Sequence, residues 1–187
     1  MQFIPLKIEG LYKVDLTPHH DHRGYFVRTY DKDAFAAQGL VSQWIQESHS
    51  FSSKKGTVRG MHFQRPPYAE TKLVRIAQGK IFLGFLDLRQ GSSTFGWCES
   101  VVLSMDNPQL LYIPKGLAMG MCTLLDNTTL LYKMDTPYHP ESARTILWND
   151  PQIDIPWPLE GEPIVSSKDT DAPTLKAFLE GEGALCL

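Results

Sequence analysis

A polar stretch around one histidine contains residue types that could move a proton. It reads Arg59-Gly60-Met61-His62-Phe63-Gln64, and Lys72 follows soon after. Alternate side chains of a β-strand share one face, so His62 and Gln64 would point the same way. If that face lines a cavity, a base and a hydrogen-bonding amide enter it together. If the face packs into a core, His62 is a core histidine bonded to a backbone carbonyl, and the spacing alone leaves both interpretations open.

Two tyrosines and a polar segment near the C-terminus are further candidates. Tyr132 lies on an apolar run typical of a strand, and Tyr138 lies just beyond that run. A tyrosine in such a strand most often packs in the core while its hydroxyl finds a partner. The polar segment 166–169 is typical of a loop or a helix cap. If Asp169 returned to pair with His62, it would fix the tautomer of the histidine and raise its basicity.

A histidine cluster near the N-terminus raises the question of a metal site. His19, His20 and His22 surround Asp21. Structural zinc sites use regular spacings of cysteine and histidine that this cluster does not match. We therefore predict an exposed loop here and no metal site.

The composition limits the class of protein. The chain has 187 residues, 42% of them hydrophobic and 21% charged, which suits one globular domain over residues 1–187. A net charge of −3, with scattered basic residues, argues against broad binding to nucleic acid or anionic membrane. No window reaches the ~20 apolar residues of a membrane span. The cysteines are few and far apart, which predicts a reduced, cytoplasmic protein: Cys98, Cys122 and Cys186.

Short apolar runs separated by proline and glycine predict many short strands. The runs cover residues 73–77, 81–86, 101–103, 110–113 and 130–134. The first two flank Gly79 and predict a hairpin, and the next two flank Asp106-Asn107-Pro108 and predict a second strand-turn-strand unit. This spacing of strands and turns predicts an all-β fold, either a β-sandwich or a jelly-roll barrel.

Helices are predicted to be few, short and peripheral. One is expected over residues 31–38, with Asp31 as its N-cap and Gly39 after its end. A second is expected over residues 174–180, with Pro173 near its start and Gly181 after its end.

Several short motifs occur in an order that resembles one enzyme family. They are Arg23-Gly24-Tyr25-Phe26, Arg59 to Gln64, Lys72-Leu73-Val74, Asp87-Leu88-Arg89, Gly91 to Gly96, Ile113 to Gly116, Tyr132-Lys133, Trp148 to Pro151, Trp157-Pro158 and Ser167-Lys168-Asp169. Together they resemble the dTDP-4-dehydrorhamnose 3,5-epimerase family, a branch of the cupin-type jelly rolls, from about Gly10 to Pro173. Each motif is weak alone, but their shared order implies a cupin-type jelly roll.

The resemblance implies a catalytic set. His62 matches the general base of the family, and Asp169 matches the partner that orients this base. Lys72 matches the lysine that stabilises an enolate oxygen, and Tyr132 matches the acid on the opposite face of the sugar. The implied reaction removes a proton beside the ketone of a nucleotide-linked 4-keto-6-deoxy sugar and returns one from the other face. It implies neither a metal nor a redox cofactor.

The resemblance also implies a binding set and a partner chain. Arg59 matches a pyrophosphate contact, and Tyr138 matches a pocket residue near the sugar. Arg23 and Phe26 match residues that reach into the neighbouring subunit's site in a homodimer. The remaining substrate-binding candidates are Gln46, Ser48, Lys168 and Arg28.

Some binding positions depart from the family pattern. Arg28 stands where an acidic residue usually faces the thymine ring, and Ser48 stands in place of an asparagine. Met119 replaces a histidine, and Pro137 replaces an aromatic residue. Arg28 offers only donors, whereas cytosine presents acceptors at N3 and O2, so the nucleotide is predicted to be dTDP or CDP, with CDP favoured if Arg28 reads the base.

These residues support one function over two alternatives. The leading prediction is an epimerase acting at C3, or at C3 and C5, of a nucleotide 4-keto-6-deoxy sugar. A non-catalytic nucleotide-sugar-binding jelly roll is the second class, and the retained set of His62, Lys72, Tyr132 and Asp169 argues against it. A metal-dependent cupin is the third class, and Met119 is a poor ligand for hard cations.

Overall fold

The secondary structure is almost entirely β, as the short apolar runs predict. A computed structural model describes all residues, 1–187. Its elements are β1 Gln2–Pro5, β2 Tyr12–Asp15, β3 His19–Asp21, β4 Gly24–Phe26, α1 Lys32–Ala37, β5 Gln46–Ser52, β6 Val58–Gln64, β7 Lys72–Gln78, β8 Lys80–Asp87, β9 Cys98–Ser104, β10 Gln109–Ile113, β11 Leu117–Thr123, β12 Thr128–Met134, β13 Ala143–Thr145, α2 Ser167–Thr170 and α3 Leu175–Glu182. No helix is both long and apolar enough to cross a bilayer.

Two antiparallel sheets form a sandwich, which confirms the predicted fold class. The larger sheet has the strand order β1-β2-β10-β7-β12-β5, and the smaller has the order β13-β6-β11-β8-β9. Between them lies a core that takes side chains from both sheets, namely Val74, Leu111, Ile113 and Leu130 from the larger and Ile81, Leu83, Phe85, Leu103, Leu117 and Met121 from the smaller. Burial of these apolar side chains is the main force that holds the sheets together.

The smaller sheet is covered on both faces. Along β8, Ile81, Leu83 and Phe85 point into the core between the sheets, whereas Phe82 and Leu86 point into a second core. That second core is closed by the C-terminal part of the chain, whose members are Ile146, Trp148, Ile153, Ile155, Phe178 and Leu185. Burial on both faces explains why β8 is a continuous apolar run in the sequence.

The predicted N-terminal helix is confirmed and covers the outer face of the larger sheet. The side chain of Asp31 accepts hydrogen bonds from the first turn of α1, and Gly39 follows the helix with a φ of 70°. Phe35 of α1 packs with Leu73 and Leu110 of the sheet. The helix is therefore peripheral, as expected.

The predicted hairpin around Gly79 is wrong, although both of its strands exist. β7 pairs with β10 and β12 in the larger sheet, while β8 pairs with β9 and β11 in the smaller one. Gly79 has a φ of 83°, and a Cβ atom there would lie 2.4 Å from Thr128 Oγ1, so only glycine fits this crossing between sheets. The strand-turn-strand unit around 106–108 also has both of its strands, but β9 and β10 lie in different sheets and do not pair with each other.

The C-terminal segment is more helical than predicted. The helix capped by Thr174 continues through Gly181 and ends at Glu182, where Gly183 takes over with a φ of 73°. Of residues 166–169, which were expected in a loop or cap, Ser166 is the N-cap position of the one-turn helix α2, and the other three residues lie within the helix. This helix matters for the site because it carries a buried carboxylate.

Candidate active site

A cavity of about 690 Å³ lies between the facing sheets. One wall comes from β5, β7 and β12 of the larger sheet, and the other from β6 and β11 of the smaller sheet. Most of the predicted site residues line this cavity: His62, Lys72, Tyr132, Gln46, Ser48, Arg59, Tyr138 and Lys168. The fold thus brings together residues that are far apart in the chain.

His62 and Asp169 form a hydrogen-bonded pair in one wall. Nε2 of His62 lies 2.6 Å from Oδ1 of Asp169, whose side chain is only 3% exposed. The backbone N–H of Gly60 donates to the other carboxylate oxygen at 3.3 Å. An ionised carboxylate can only accept, so the histidine proton belongs on Nε2 and the lone pair on Nδ1 is left for a ligand.

Burial lowers the pKa of His62, and this effect outweighs the opposite influence of Asp169. The charges of Lys168 and Lys72 push the pKa in the same direction as burial. The imidazole is therefore neutral near pH 7. A neutral imidazole backed by a carboxylate has the form that a general base requires.

The strand that carries His62 departs from simple alternation. The pairing of β6 with β11 shifts register between Met119 and Met121, so Arg59 and His62 both line the cavity although three positions separate them. Gly60 allows this approach, because a Cβ atom there would lie 2.4 Å from the Cα of Gly120.

The opposite wall carries Tyr132 and Lys72. Both side chains are on the inner face of the larger sheet, where Tyr132 packs against the core between the sheets. The ammonium of Lys72 lies 2.6 Å from Oε1 of Glu70, a residue that the sequence-based reasoning missed. The only sequence signal is that Glu70 and Lys72 share a face in an extended chain.

Gln64 lines the cavity, but its amide is already engaged. Its nitrogen donates to the carbonyl oxygens of Tyr68 at 2.8 Å and Pro137 at 3.2 Å. Its oxygen accepts from the backbone N–H of His139. Gln64 therefore holds the loops beside the cavity in place, and the idea that it enters the cavity free to bind a ligand is not supported.

The cavity mouth is polar and cationic. Gln46 accepts a hydrogen bond from the backbone N–H of Tyr138 at 2.7 Å, which fixes the loop that carries this exposed tyrosine. The guanidinium of Arg59 makes a single long bond, 3.4 Å, to the carbonyl of Phe51. With the exposed Lys168, it leaves positive charge free at the mouth.

Arg23, Phe26 and Arg28 lie away from this cavity. Arg23 pairs with Asp21 at 2.5 Å and Arg28 with Asp31 at 3.0 Å, and both arginine side chains are exposed. Phe26, on β4, is 66% exposed. Within one chain these residues contribute nothing to the His62 site.

Neither the histidine cluster nor the surroundings of Met119 forms a metal-binding set. β3 exposes His19 and His20, and His22 is exposed just beyond it. Met119 lies opposite His62 in the β6–β11 pairing and lines the cavity. No three His, Cys, Asp or Glu side chains are grouped so that they could hold a metal ion.

The geometry agrees with the family comparisons. The family model described as dTDP-4-dehydrorhamnose 3,5-epimerase matches residues 5–177. The chain is 43% identical to the enzyme of that name from Salmonella typhimurium, over 85% of this chain and 87% of that protein. It is 41% identical to the Escherichia coli enzyme, over 96% of this chain and 97% of that protein.

The fold of this chain is also similar to solved structures of epimerases. The dTDP-4-dehydrorhamnose 3,5-epimerase of Bacillus anthracis, with TDP and PPi bound, gives a TM-score of 0.90 at 37% identity, covering 93% of this chain and 99% of that one. A 3′-monoepimerase from Streptomyces bikiniensis in complex with dTDP-quinovose gives 0.91 at 30% identity, covering 97% and 92%. The chain belongs to the dTDP-4-dehydrorhamnose 3,5-epimerase family.

Proposed function

We propose that this protein epimerises a nucleotide-linked 4-keto-6-deoxy sugar in deoxysugar biosynthesis. The observation that carries the proposal is the placement of groups in one cavity. A histidine backed by a buried aspartate lies in one wall, and a tyrosine and a lysine lie in the facing wall. Inversion of a carbon centre needs this division, because one face must lose a proton and the other must receive one.

Each group has a role in the proposed reaction. Nδ1 of His62 takes the proton from the carbon beside the ketone, and the C–H electron pair becomes the C=C bond of an enolate. Asp169 stabilises the imidazolium that forms. The ammonium of Lys72 faces the oxygen on which negative charge develops. Tyr132 then returns a proton to the carbon from the opposite face. Its phenolate regains a proton from solvent, and the imidazolium of His62 releases its proton to solvent.

The substrate is proposed to enter with its diphosphate at the cationic mouth. Arg59 and Lys168 supply charge to the diphosphate, while Gln46, Ser48 and Tyr138 contact the sugar or nucleoside. The relative from Bacillus anthracis binds TDP, which favours a dTDP-linked sugar. CDP remains the alternative that the donor-only side chain of Arg28 predicts.

We propose inversion at C5 as well as at C3. The 3,5-epimerases from Salmonella typhimurium and Escherichia coli are 43% and 41% identical to this chain, whereas the 3′-monoepimerase is 30% identical. Position-specific deuterium incorporation tests this directly. Exchange at C3 with none at C5 would assign the protein to the single-site type.

We also propose a homodimer of single-domain chains in the cytoplasm. The exposure of the β3–β4 hairpin, with Arg23 and Phe26, supports a role in a partner's site, and β1 leaves one edge of the larger sheet unpaired. The three separate cysteine thiols suit a reducing compartment. Sedimentation at micromolar concentration should give a dimer, and a fully active monomer would contradict it.

The function is tested by offering dTDP-, CDP-, GDP- and UDP-linked 4-keto-6-deoxy sugars in heavy water. Deuterium should enter at C3 and C5 of at least one of them, with inverted product. Binding of a nucleotide sugar without any deuterium incorporation would instead identify a non-catalytic relative.

A further inference from the structure

Glu70 and Lys72 form a buried ion pair in the cavity wall. The two residues lie at alternate positions in the extended chain that leads into β7, so their side chains share a face. Lys72 Nζ lies 2.6 Å from Glu70 Oε1, and the side chains are 12% and 6% exposed. Both residues line the cavity that contains His62.

The backbone on both sides of Glu70 is tied to the end of β12. The N–H of Thr71 donates to Asp135 Oδ1 at 2.7 Å, and the hydroxyl of Thr136 donates to the carbonyl of Ala69 at 3.2 Å. These bonds fix the position from which the Glu70 side chain reaches Lys72. The carboxylate is therefore held by the frame of the larger sheet.

The second carboxylate oxygen of Glu70 has no partner. Oε2 is buried and makes no hydrogen bond, so the ammonium of Lys72 is the one charged group that this carboxylate contacts. A buried carboxylate with an unsatisfied oxygen is costly, and a buried ion pair is a weak source of stability. Stability alone therefore gives no reason for a charged residue at this position.

A second carboxylate–lysine pair, on neighbouring strands of the same sheet, provides a contrast. Glu47 Oε2 lies 2.8 Å from Lys133 Nζ, but the side chains are 49% and 30% exposed. Water screens such a pair and leaves its lysine free to move. The Glu70–Lys72 pair has the same chemistry without that freedom.

We infer that Glu70 is a positioning residue that fixes the ammonium of Lys72 beside the ketone oxygen of the substrate. The inference rests on the proposed epimerase function. Rate depends on a donor that is already in place when charge develops on the oxygen. Glu70 supplies that preorganisation by acting through Lys72.

Two substitutions separate charge from shape. Glu70→Gln keeps an acceptor oxygen but removes the negative charge, and Glu70→Leu removes both. For Glu70→Leu we expect the kcat of C3 exchange to fall about 10- to 100-fold, less than the 10²- to 10³-fold known for loss of a direct donor, with KM little changed. For Glu70→Gln we expect a smaller loss of kcat, again with KM little changed, because the amide oxygen still accepts a hydrogen bond from Lys72 but carries no charge.

Glu47→Gln and Glu47→Leu are the matched controls, and both should keep the wild-type kcat and KM. Thermal melting shows whether each variant folds, and if Glu70→Leu does not fold, the kcat of Glu70→Gln decides. A folded Glu70→Leu with wild-type kcat, or a folded Glu70→Gln with wild-type kcat, overturns the role of Glu70 alone. A wild-type protein that exchanges no 4-keto sugar overturns the proposed function, and the role of Glu70 with it.

Discussion

The wall of the central cavity and the N-terminal hairpin both carry paired charges, but they hold them differently. In the wall, Asp169 and Glu70 have side chains 3% and 6% exposed, and each is directed at one cationic or basic partner. Near the hairpin, Arg23 and Arg28 pair with close neighbours in the sequence while their side chains stay 78% and 66% exposed. A buried pair has one geometry available, whereas an exposed pair exchanges its partner for water at little cost.

The difference separates two kinds of functional residue. Groups that act on a reacting atom need a fixed position before the substrate arrives, and the wall provides it. Groups that act only after another chain docks need to be free beforehand. In the proposed dimer the hairpin belongs to this second kind, since Arg23 and the nearby Arg28 pair only with local partners and Phe26 is 66% exposed.

The largest effect is expected from breaking the pair of His62 and Asp169 in the cavity wall. His62→Ala or Asp169→Ala should lower deuterium exchange at every centre by at least ~10²-fold, because the base or its orienting partner is lost. Thermal melting should change little for His62→Ala, whose side chain is 40% exposed to the cavity. His49→Ala, on β5 and outside the cavity lining, is the control. Wild-type exchange in folded His62→Ala would show that the base has been assigned wrongly.

Removal of the Tyr132 hydroxyl should separate the two steps of the reaction, proton removal and proton return. Tyr132→Phe deletes the proposed acid but keeps the ring that packs against the core. Proton removal, followed as label wash-out, should continue, while the yield of inverted product falls. Tyr12→Phe on β2 of the same sheet is the control. If inverted product forms as fast as in the wild type, Tyr132 is not the acid.

The exposed region should affect nucleotide choice if a partner's Arg28 reads the base. On that hypothesis CDP binds better than dTDP by roughly 5- to 150-fold. This ratio corresponds to about 1–3 kcal/mol, the cost of leaving a buried donor of Arg28 without an acceptor on thymine. The substitution Arg28→Glu should move the preference toward dTDP. Calorimetric titration of the two diphosphates measures it, and equal affinities or a dTDP preference would exclude Arg28 as a reader of the base.

The smallest effect is expected in the acid limb of the pH profile. His62 acts as a base only when neutral, so activity is present above its pKa and is lost as the pH falls through that value. Burial, helped by Lys168 and Lys72, holds the pKa of His62 below its usual value. Lys168→Met should raise this pKa and move the acid limb of kcat/KM to higher pH, while Lys176→Met on α3 should not. A limb that stays in place would mean that another group controls it.

The sequence predicts the strands better than their partners. Apolar runs identify β7, β8, β9, β10 and β12, because burial of each strand imposes a local pattern. The pattern is the same whether the chain turns back within a sheet or crosses to the facing one. Gly79 fits both outcomes in sequence, so the hairpin prediction failed for a reason that no local signal could correct.

In the candidate site, too, the sequence predicts individual residues better than their partners. The pairing of His62 with Asp169 spans a sequence separation of 107, so the residue types raised it only as a condition, and the family resemblance was needed to predict it. Gln64 looked like a ligand contact because it shares a face with His62, yet its bonds go to neighbouring loops. Glu70 escaped notice because one glutamate before a strand resembles any solvated charge until its burial is known.

The C-terminal part of the chain, which covers the outer face of the smaller sheet, also determines when the proposed catalytic pair can form. Asp169 arrives on α2 from the same C-terminal part of the chain that buries the outer face of that sheet. Both strand neighbours of β6, which are β11 and β13, precede Asp169 in the chain, so the strands around His62 are synthesised before Asp169. The proposed base therefore lacks its partner until the last layer closes, so a partly folded chain holding a sugar nucleotide would leave its stereochemistry untouched.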